Sequence, residues 1–143
     1  MSAVEDIFDL KDEVVLVTGA AGLIGSRFCK VLLEAHASVV AADLNVQKVN
    51  DMIEDWGENE TRISGIEVDI TSSSSVKKLV EQVNTAFGHL DVLVHCAALD
   101  PKFDQDHKND HRVSFEDFPL EMWQQALDVN LTGAFLCVQE AAR

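Results

Sequence analysis

The fold is decided by a stretch near the amino terminus, Val14-Val15-Leu16-Val17-Thr18-Gly19-Ala20-Ala21-Gly22-Leu23-Ile24-Gly25. Its first four residues are continuously apolar, which is typical of a strand buried on both faces of a parallel sheet. Three glycines follow, and apolar residues then recur at helical spacing as far as Ala35. The stretch therefore predicts a strand, a glycine-rich turn and a helix, in that order.

The remainder of the chain repeats this alternation of strand and helix. Further strands are predicted at Ser38–Asp43, at 63–68 and at 91–96, and each is followed by a helical segment. The last helix is predicted as one continuous element from 119 to 143, with a proline tolerated in its first turn. We therefore expect an α/β fold of order βαβαβαβα, a Rossmann-type doubly wound parallel sheet that ends after the helix following strand four. No interior linker divides it, so residues 1–143 are expected to form one domain.

Composition excludes several classes of function. The 143 residues include 11 Lys and Arg against 25 Asp and Glu, giving a formal net charge of −14. Nucleic acids and anionic membranes both attract basic surfaces, so neither partner is expected. Three cysteines without a C-x-x-C pair indicate a reducing compartment rather than a disulfide framework. With no signal-peptide pattern and no apolar run of membrane-spanning length, a cytoplasmic location is expected.

The glycine-rich turn predicts a dinucleotide site. Glycine allows a tight turn and the close approach of a diphosphate, and the helix that follows presents free N–H groups at its positive end. Asp43 ends the second strand, where a carboxylate can accept hydrogen bonds from a ribose and would repel a 2′-phosphate. This favours NAD as the cofactor and residues 1–143 as an NAD-binding domain. A plain strand-to-helix turn is the alternative interpretation, and the absence of a G-K-[ST] ending argues against a P-loop.

In order and spacing, several motifs resemble the short-chain dehydrogenase/reductase family from about Asp12 to Arg143. These motifs are TGAAGLIG at 18–25, Asp43, Asp69-Ile70, FGHLDVLVHCAA at 87–98 and NLTG at 130–133. The resemblance implies that Asp69 and Ile70 flank the adenine and that residues 95–98 lie along the cofactor's ribose. It also implies a catalytic role for Asn130, the helix asparagine that supports an active-site water relay. The cofactor-binding residues expected in total are Gly19, Ala21, Gly22, Leu23, Ile24, Gly25, Asp43, Leu44, Asp69, Ile70, His95, Cys96, Ala97 and Ala98.

Asn130 has neighbours that bear on its environment. Leu127, Leu131 and Ala134 place it near the apolar side of the last helix, which favours a specific buried role over that of an ordinary polar helix residue.

Two motifs depart from the compact, single-domain branch of the family. The glycines are spaced G-x-x-G-x-x-G rather than G-x-x-x-G-x-G, and His-Cys-Ala-Ala at 95–98 replaces the usual Asn-Asn-Ala-Gly. Both variants look like the longer branch that modifies sugar nucleotides. The Phe87-Gly88 helix end and the PLEMW entry at 119–123 look like the compact branch, which we favour. Half of an epimerase or dehydratase of the longer branch is therefore an alternative.

The residues that carry the family's chemistry have no counterpart here. The family uses a tyrosine as general acid/base, a lysine four residues later and a serine, and this chain contains no tyrosine. The sequence therefore looks like the cofactor-binding half of an NAD-dependent oxidoreductase that transfers hydride between cofactor and a small alcohol or carbonyl substrate. The polar stretch 99–118 hints at a hydrophilic, sugar-like substrate. A non-catalytic nucleotide-binding or interaction module is the alternative from another class.

Three further features complete the sequence-based expectations. His107 and His111 are four residues apart among carboxylates, but a solvated loop explains them better than a metal site, and no metal is expected. Cys96 and Cys137 are expected to be small buried residues rather than nucleophiles. Strand four would have an unpaired apolar edge, and the last helix would expose apolar residues, so a homo-oligomer is expected.

Overall fold

The structure is a computed structural model that describes residues 8–56, 61–100 and 114–143. Four strands alternate with helices, as the sequence predicts. The strands are β1 (Val14–Thr18), β2 (Ser38–Asp43), β3 (Ile63–Glu67) and β4 (Val92–His95). The helices are α1 (Leu23–Glu34), α2 (Val46–Asp55), α3 (Ser73–Phe87), α4 (Leu120–Leu127) and α5 (Ala134–Ala141), with a 3₁₀ turn at Phe115–Asp117.

All four strands are parallel and lie in the order β3-β2-β1-β4. In the sheet, β1 lies between β2 and β4, with Leu16 opposite Val40 on one side and Leu93 on the other. Every residue of β1 is buried, which agrees with its continuous apolar sequence. This arrangement confirms the predicted Rossmann-type α/β fold.

Helices cover both faces of the sheet, so the doubly wound prediction is also confirmed. Alternate strand residues point to opposite faces. Leu16 and Val40 pack with α3 and α5 in one apolar cluster. Val15 and Val39 pack with α1 and α2 in the other.

Capping residues fix both ends of α3. The Ser72 side chain accepts a hydrogen bond from the backbone N–H of Ser75, which satisfies one donor that the first helical turn leaves unpaired. Gly88 ends the helix in the left-handed conformation, with φ of 84°, which favours glycine because it has no Cβ.

The predicted long helix from 119 to 143 is confirmed as an unbroken helical stretch from 120 to 141, but this stretch is not α-helical throughout. A π-helical segment, Asp128–Gly133, separates α4 from α5. A π segment spaces its backbone hydrogen bonds by five residues and locally widens the helix. Apolar residues at 127, 131 and 134 keep nearly helical spacing through it, so the sequence pattern does not reveal the change.

No helix in the described part of the chain is long and apolar enough to cross a membrane.

Candidate dinucleotide site

The candidate site lies at the carboxyl ends of the strands, where the chain leaves β1 toward β2 on one side and β4 lies on the other. This is the topological switch point at which open parallel sheets bind ligands. A cavity of about 350 Å³ opens there. It is lined by Gly19, Gly22, Asp43, Leu44, Val68, Asp69, Ile70, Thr71, Cys96, Ala97, Ala98, Leu99, Gln125 and Val129.

Two glycines of the loop between β1 and α1 are required by contacts with the backbone. Gly19 has φ of 67°, and a Cβ there would lie 2.6 Å from the backbone nitrogen of Ala97. A Cβ on Gly25 would collide with the carbonyl oxygen of Gly19. The glycines therefore allow the loop to pack against the end of β4 and the first turn of α1 to pack against the loop.

The first turn of α1 is available to an anion. Gly22 is its N-cap residue, and no side chain among the described residues caps the helix. The first N–H groups of an α-helix have no partner within the helix, and the helix dipole adds partial positive charge at that end. Leu23 and Ile24, which form this turn, are largely exposed. The turn can therefore donate hydrogen bonds to a phosphate.

Asp43 connects the loop to β2. Its Oδ2 accepts a hydrogen bond from the backbone N–H of Ala21, and its Oδ1 accepts one from the backbone N–H of Asn45, both at 2.9 Å. Among the described residues lining the cavity there is no lysine or arginine. The site thus presents a carboxylate and no cation that would neutralise a 2′-phosphate.

The opposite wall of the cavity is formed by the turn after β3. The Asp69 carboxylate accepts hydrogen bonds from the backbone N–H and the hydroxyl of Thr71, at 2.9 and 2.6 Å. Ile70 is buried, and a Cβ on Gly133 would lie 2.8 Å from its Cδ1. The turn is therefore held rigidly, with an apolar side chain supported by the π segment.

The four residues at 95–98 do not all face the cavity. Cys96, Ala97 and Ala98 line it, whereas His95 does not. The Nδ1 of His95 lies 2.9 Å from the hydroxyl oxygen of Thr18, and its Nε2 is buried without a hydrogen-bond partner among the described residues. Burial lowers the pKa of His95, so the ring is neutral at pH 7.

The cysteines offer no activated nucleophile. All three are free thiols. Burial raises the pKa of Cys29 to about 12 and that of Cys137 to about 11, and it also raises the pKa of Cys96. Cys29 and Cys137 are buried as small apolar residues, and Cys96 is half-buried at the cavity.

Asn130 lies in the π segment and clamps the chain that follows β4. Its Oδ1 accepts a hydrogen bond from the backbone N–H of Leu99 at 2.7 Å, and its Nδ2 donates one to the carbonyl oxygen of Leu99 at 2.9 Å. The expectation of a buried side chain is wrong, because Asn130 is exposed. Its side chain instead both accepts from and donates to the backbone of Leu99. Leu99 lies 31 residues earlier in the chain, so the sequence pattern does not reveal this contact.

A larger cavity, of about 430 Å³, lies between α3 and the end of α5. It is a poor site for a dinucleotide because Gly88, at the carboxyl end of α3, borders it, and the carbonyl end of a helix repels anions. The two carboxylates in its lining are each paired with a cation, Glu140 with Arg143 at 3.2 Å and Glu81 with Lys77 at 3.9 Å, so neither cation is available to neutralise a phosphate.

The histidine pair His107 and His111 lies outside the described residues, as does most of the polar stretch 99–118.

Comparison with known proteins agrees with this geometry. The sequence pattern of the family described as short chain dehydrogenase matches residues 13–143. An NAD-dependent glycerol dehydrogenase from Listeria innocua is 31% identical over 95% of this chain and 48% of its own length. A D-threitol dehydrogenase from Mycolicibacterium smegmatis is 28% identical over 95% of this chain and 48% of its own length. A solved short chain dehydrogenase from Mycobacterium smegmatis has a TM-score of 0.76 at 32% identity, over 94% of this chain and 52% of that one.

The chain spans about half the length of these relatives. The family whose pattern matches is described as short chain dehydrogenase, which agrees with the compact branch. The chain therefore belongs to the short-chain dehydrogenase/reductase family.

Proposed function

We propose that residues 1–143 are the NAD-binding domain of an oxidoreductase that transfers hydride between NAD and a small alcohol or carbonyl compound. The observation that carries this proposal is the position of Asp43 beside the uncapped first turn of α1, in a cavity without lysine or arginine among the described residues. The family membership and the similarity to a glycerol and a threitol dehydrogenase support the alcohol substrate.

The residues present fit the cofactor. The backbone of Gly22 and the first turn of α1 would hold the diphosphate, because no Cβ fills the space at the glycine. Asp43 would accept hydrogen bonds from the adenosine ribose, and its negative charge would exclude a 2′-phosphate. NAD supplies the hydride acceptor when it is bound.

The adenine would lie between Leu44 and the turn formed by Asp69 and Ile70, which offers an apolar wall. Cys96, Ala97 and Ala98 would border the second ribose, on the β4 side of the cavity. These small side chains leave room for a ligand next to the backbone. His95 would act indirectly, through its hydrogen bond with the Thr18 hydroxyl at the end of β1.

Asn130 is proposed as a positioning residue for the substrate side of the site. It holds both backbone groups of Leu99, so it fixes the direction in which the chain leaves β4 beside the cavity. Hydride transfer to a carbonyl also requires a proton donor, and the chain contains no tyrosine to serve as one. Turnover would therefore require residues beyond those present here.

We also propose a cytoplasmic location and a homo-oligomer. Three free thiols suit a reducing compartment. Leu131, Phe135 and Val138 form an exposed apolar stripe along α5 and the π segment, which a second copy could cover.

The test is titration calorimetry of the chain with NAD and NADP. We expect NAD to bind at least ten-fold more tightly than NADP, and Asp43→Ala to narrow that preference. Glu67→Ala is the matched control, because Glu67 is the strand neighbour of Asp43 in β3 but does not line the cavity. Equal or tighter binding of NADP by the unmodified chain would contradict the proposal.

A further inference from the structure

Asp43 has a second set of contacts besides those it would make with a ribose. Both of its carboxylate oxygens already accept backbone hydrogen bonds, from Ala21 in the glycine loop and from Asn45 at the start of α2. Ala20, the preceding residue of the loop, is held in a similar way, because its N–H donates a hydrogen bond to the carbonyl oxygen of Ala42 at 3.2 Å. Two consecutive loop amides are therefore fastened to the end of β2, one by backbone and one by a side chain.

The side-chain bond controls the part of the loop that would meet a diphosphate. Ala21 directly precedes Gly22, the N-cap residue of α1. Upstream, Gly19 is fixed against Ala97, and the N–H of Gly22 donates to the carbonyl oxygen of Gly19 at 3.0 Å. The bond from Ala21 to Asp43 is thus the side-chain contact next to Gly22 that helps set where the chain enters the first turn of α1.

We propose that Asp43 is a positioning residue for the diphosphate loop, in addition to being the acceptor for the ribose. This inference rests on the proposed function and deepens it. Its consequence is that the carboxylate contributes to diphosphate binding although it carries the same sign of charge as the diphosphate.

The two roles of Asp43 can be distinguished by comparing the binding of two ligands. Adenosine contains the ribose but no phosphate, whereas ADP contains both. If Asp43 acted only on the ribose, its replacement would weaken the binding of both ligands equally. The loss of its negative charge would in addition favour the binding of ADP. If Asp43 also positions the loop, its replacement weakens ADP more than adenosine. The affinity for ADP relative to adenosine therefore rises if only the charge of Asp43 matters, and falls if Asp43 positions the loop.

The experiment measures Kd for adenosine and ADP by NMR titration of the chain and of Asp43→Asn and Asp43→Ala. We expect the loss of affinity for ADP in Asp43→Ala to exceed that for adenosine by about five-fold, the effect of one net hydrogen bond. Asp43→Asn keeps the size of the side chain and guards against a folding defect. In Asp43→Asn one of the two acceptor oxygens becomes an NH₂ donor, so one of the two backbone hydrogen bonds is lost and we expect a smaller change of the same sign.

Two controls make the result specific. Glu67→Gln removes a nearby negative charge without touching the loop, and should leave the ratio of the two affinities unchanged or shifted toward ADP. Hydrogen exchange of the Ala21 amide should accelerate in both Asp43 variants and not in Glu67→Gln.

Equal losses for the two ligands, or a gain for ADP, would overturn the loop-positioning role while leaving the proposed function intact. Failure of the unmodified chain to bind either ligand would overturn both.

Discussion

The two strands that flank β1 are strongly contrasted. On one side, β2 is paired with β1 and β3, and Val39, Val40, Ala41 and Ala42 are fully buried. On the other side, β4 pairs only with β1 within the described residues, and Val92 is 38% exposed. The β2 side of the sheet is therefore paired and buried within the described residues, whereas the β4 side presents exposed apolar surface.

The largest effect of this contrast is expected in catalytic activity. The chain should bind NAD but oxidise or reduce no substrate, because a general acid contributes typically 10² to 10⁴-fold and substrate orientation adds more. NADH formation or consumption is measured with a panel of alcohols, sugars and ketones. Turnover above background that Asn130→Ala abolishes would show that the β4 side is sufficient for chemistry.

A second prediction compares the stability contributions of the two flanks. Val40→Ala removes fully buried methyl groups from the paired strand and should lower the free energy of unfolding by about 2 kcal/mol. Val92→Ala makes the same change on the open edge and should cost about 0.5 kcal/mol or less. Urea unfolding measures both variants at a concentration well below the micromolar range, where the chain is expected to be monomeric. Similar losses under those conditions would contradict the contrast between the two strands.

The third prediction concerns what covers the exposed apolar surface on the β4 side. We expect the chain to self-associate at micromolar concentration through the β4 edge or the stripe of Leu131, Phe135 and Val138. Phe135→Glu or Val92→Lys should weaken association about ten-fold, an effect of about 1.4 kcal/mol. Light scattering follows the mass, with Ala86→Lys on the exposed side of α3 as the control. A monomer that binds no apolar dye would contradict the expectation.

The smallest effect is a pH dependence that originates at the end of β4. Burial lowers the pKa of His95 below its ordinary value of 6.5, whereas the unfolded chain binds a proton at that value. Between the two values the unfolded chain holds more protons, so the free energy of unfolding should fall as pH drops below about 6.5. Urea unfolding at pH 7.5 and 5.5 measures this fall, which His95→Asn should reduce. An unchanged dependence in His95→Asn would assign it to other groups.

The same contrast explains what the sequence could predict. The β1 and β2 strands are continuous apolar runs, and a Gly-rich turn with Asp43 at a fixed distance is a local pattern, so both were predictable. The π segment was not, because its apolar residues keep nearly helical spacing.

Contacts across many residues were also beyond sequence reasoning. The clamp of Asn130 on Leu99 and the bond of Asp43 to Ala21 depend on how separate elements pack. No local propensity encodes such pairs. The residue types at the site were predicted, while the partners that orient them were not.

The most direct test of the dinucleotide site maps NAD binding onto backbone amide signals by NMR, which a chain of 15.7 kDa permits. We predict that the largest shifts on saturation occur in the glycine loop 19–25, at Asp43 and Leu44, and at Ala97 and Ala98. The cavity between α3 and α5, probed by Asn84 and Leu90, should be unaffected. Shifts centred on Asn84 and Leu90, or no shifts at millimolar NAD, would contradict the account.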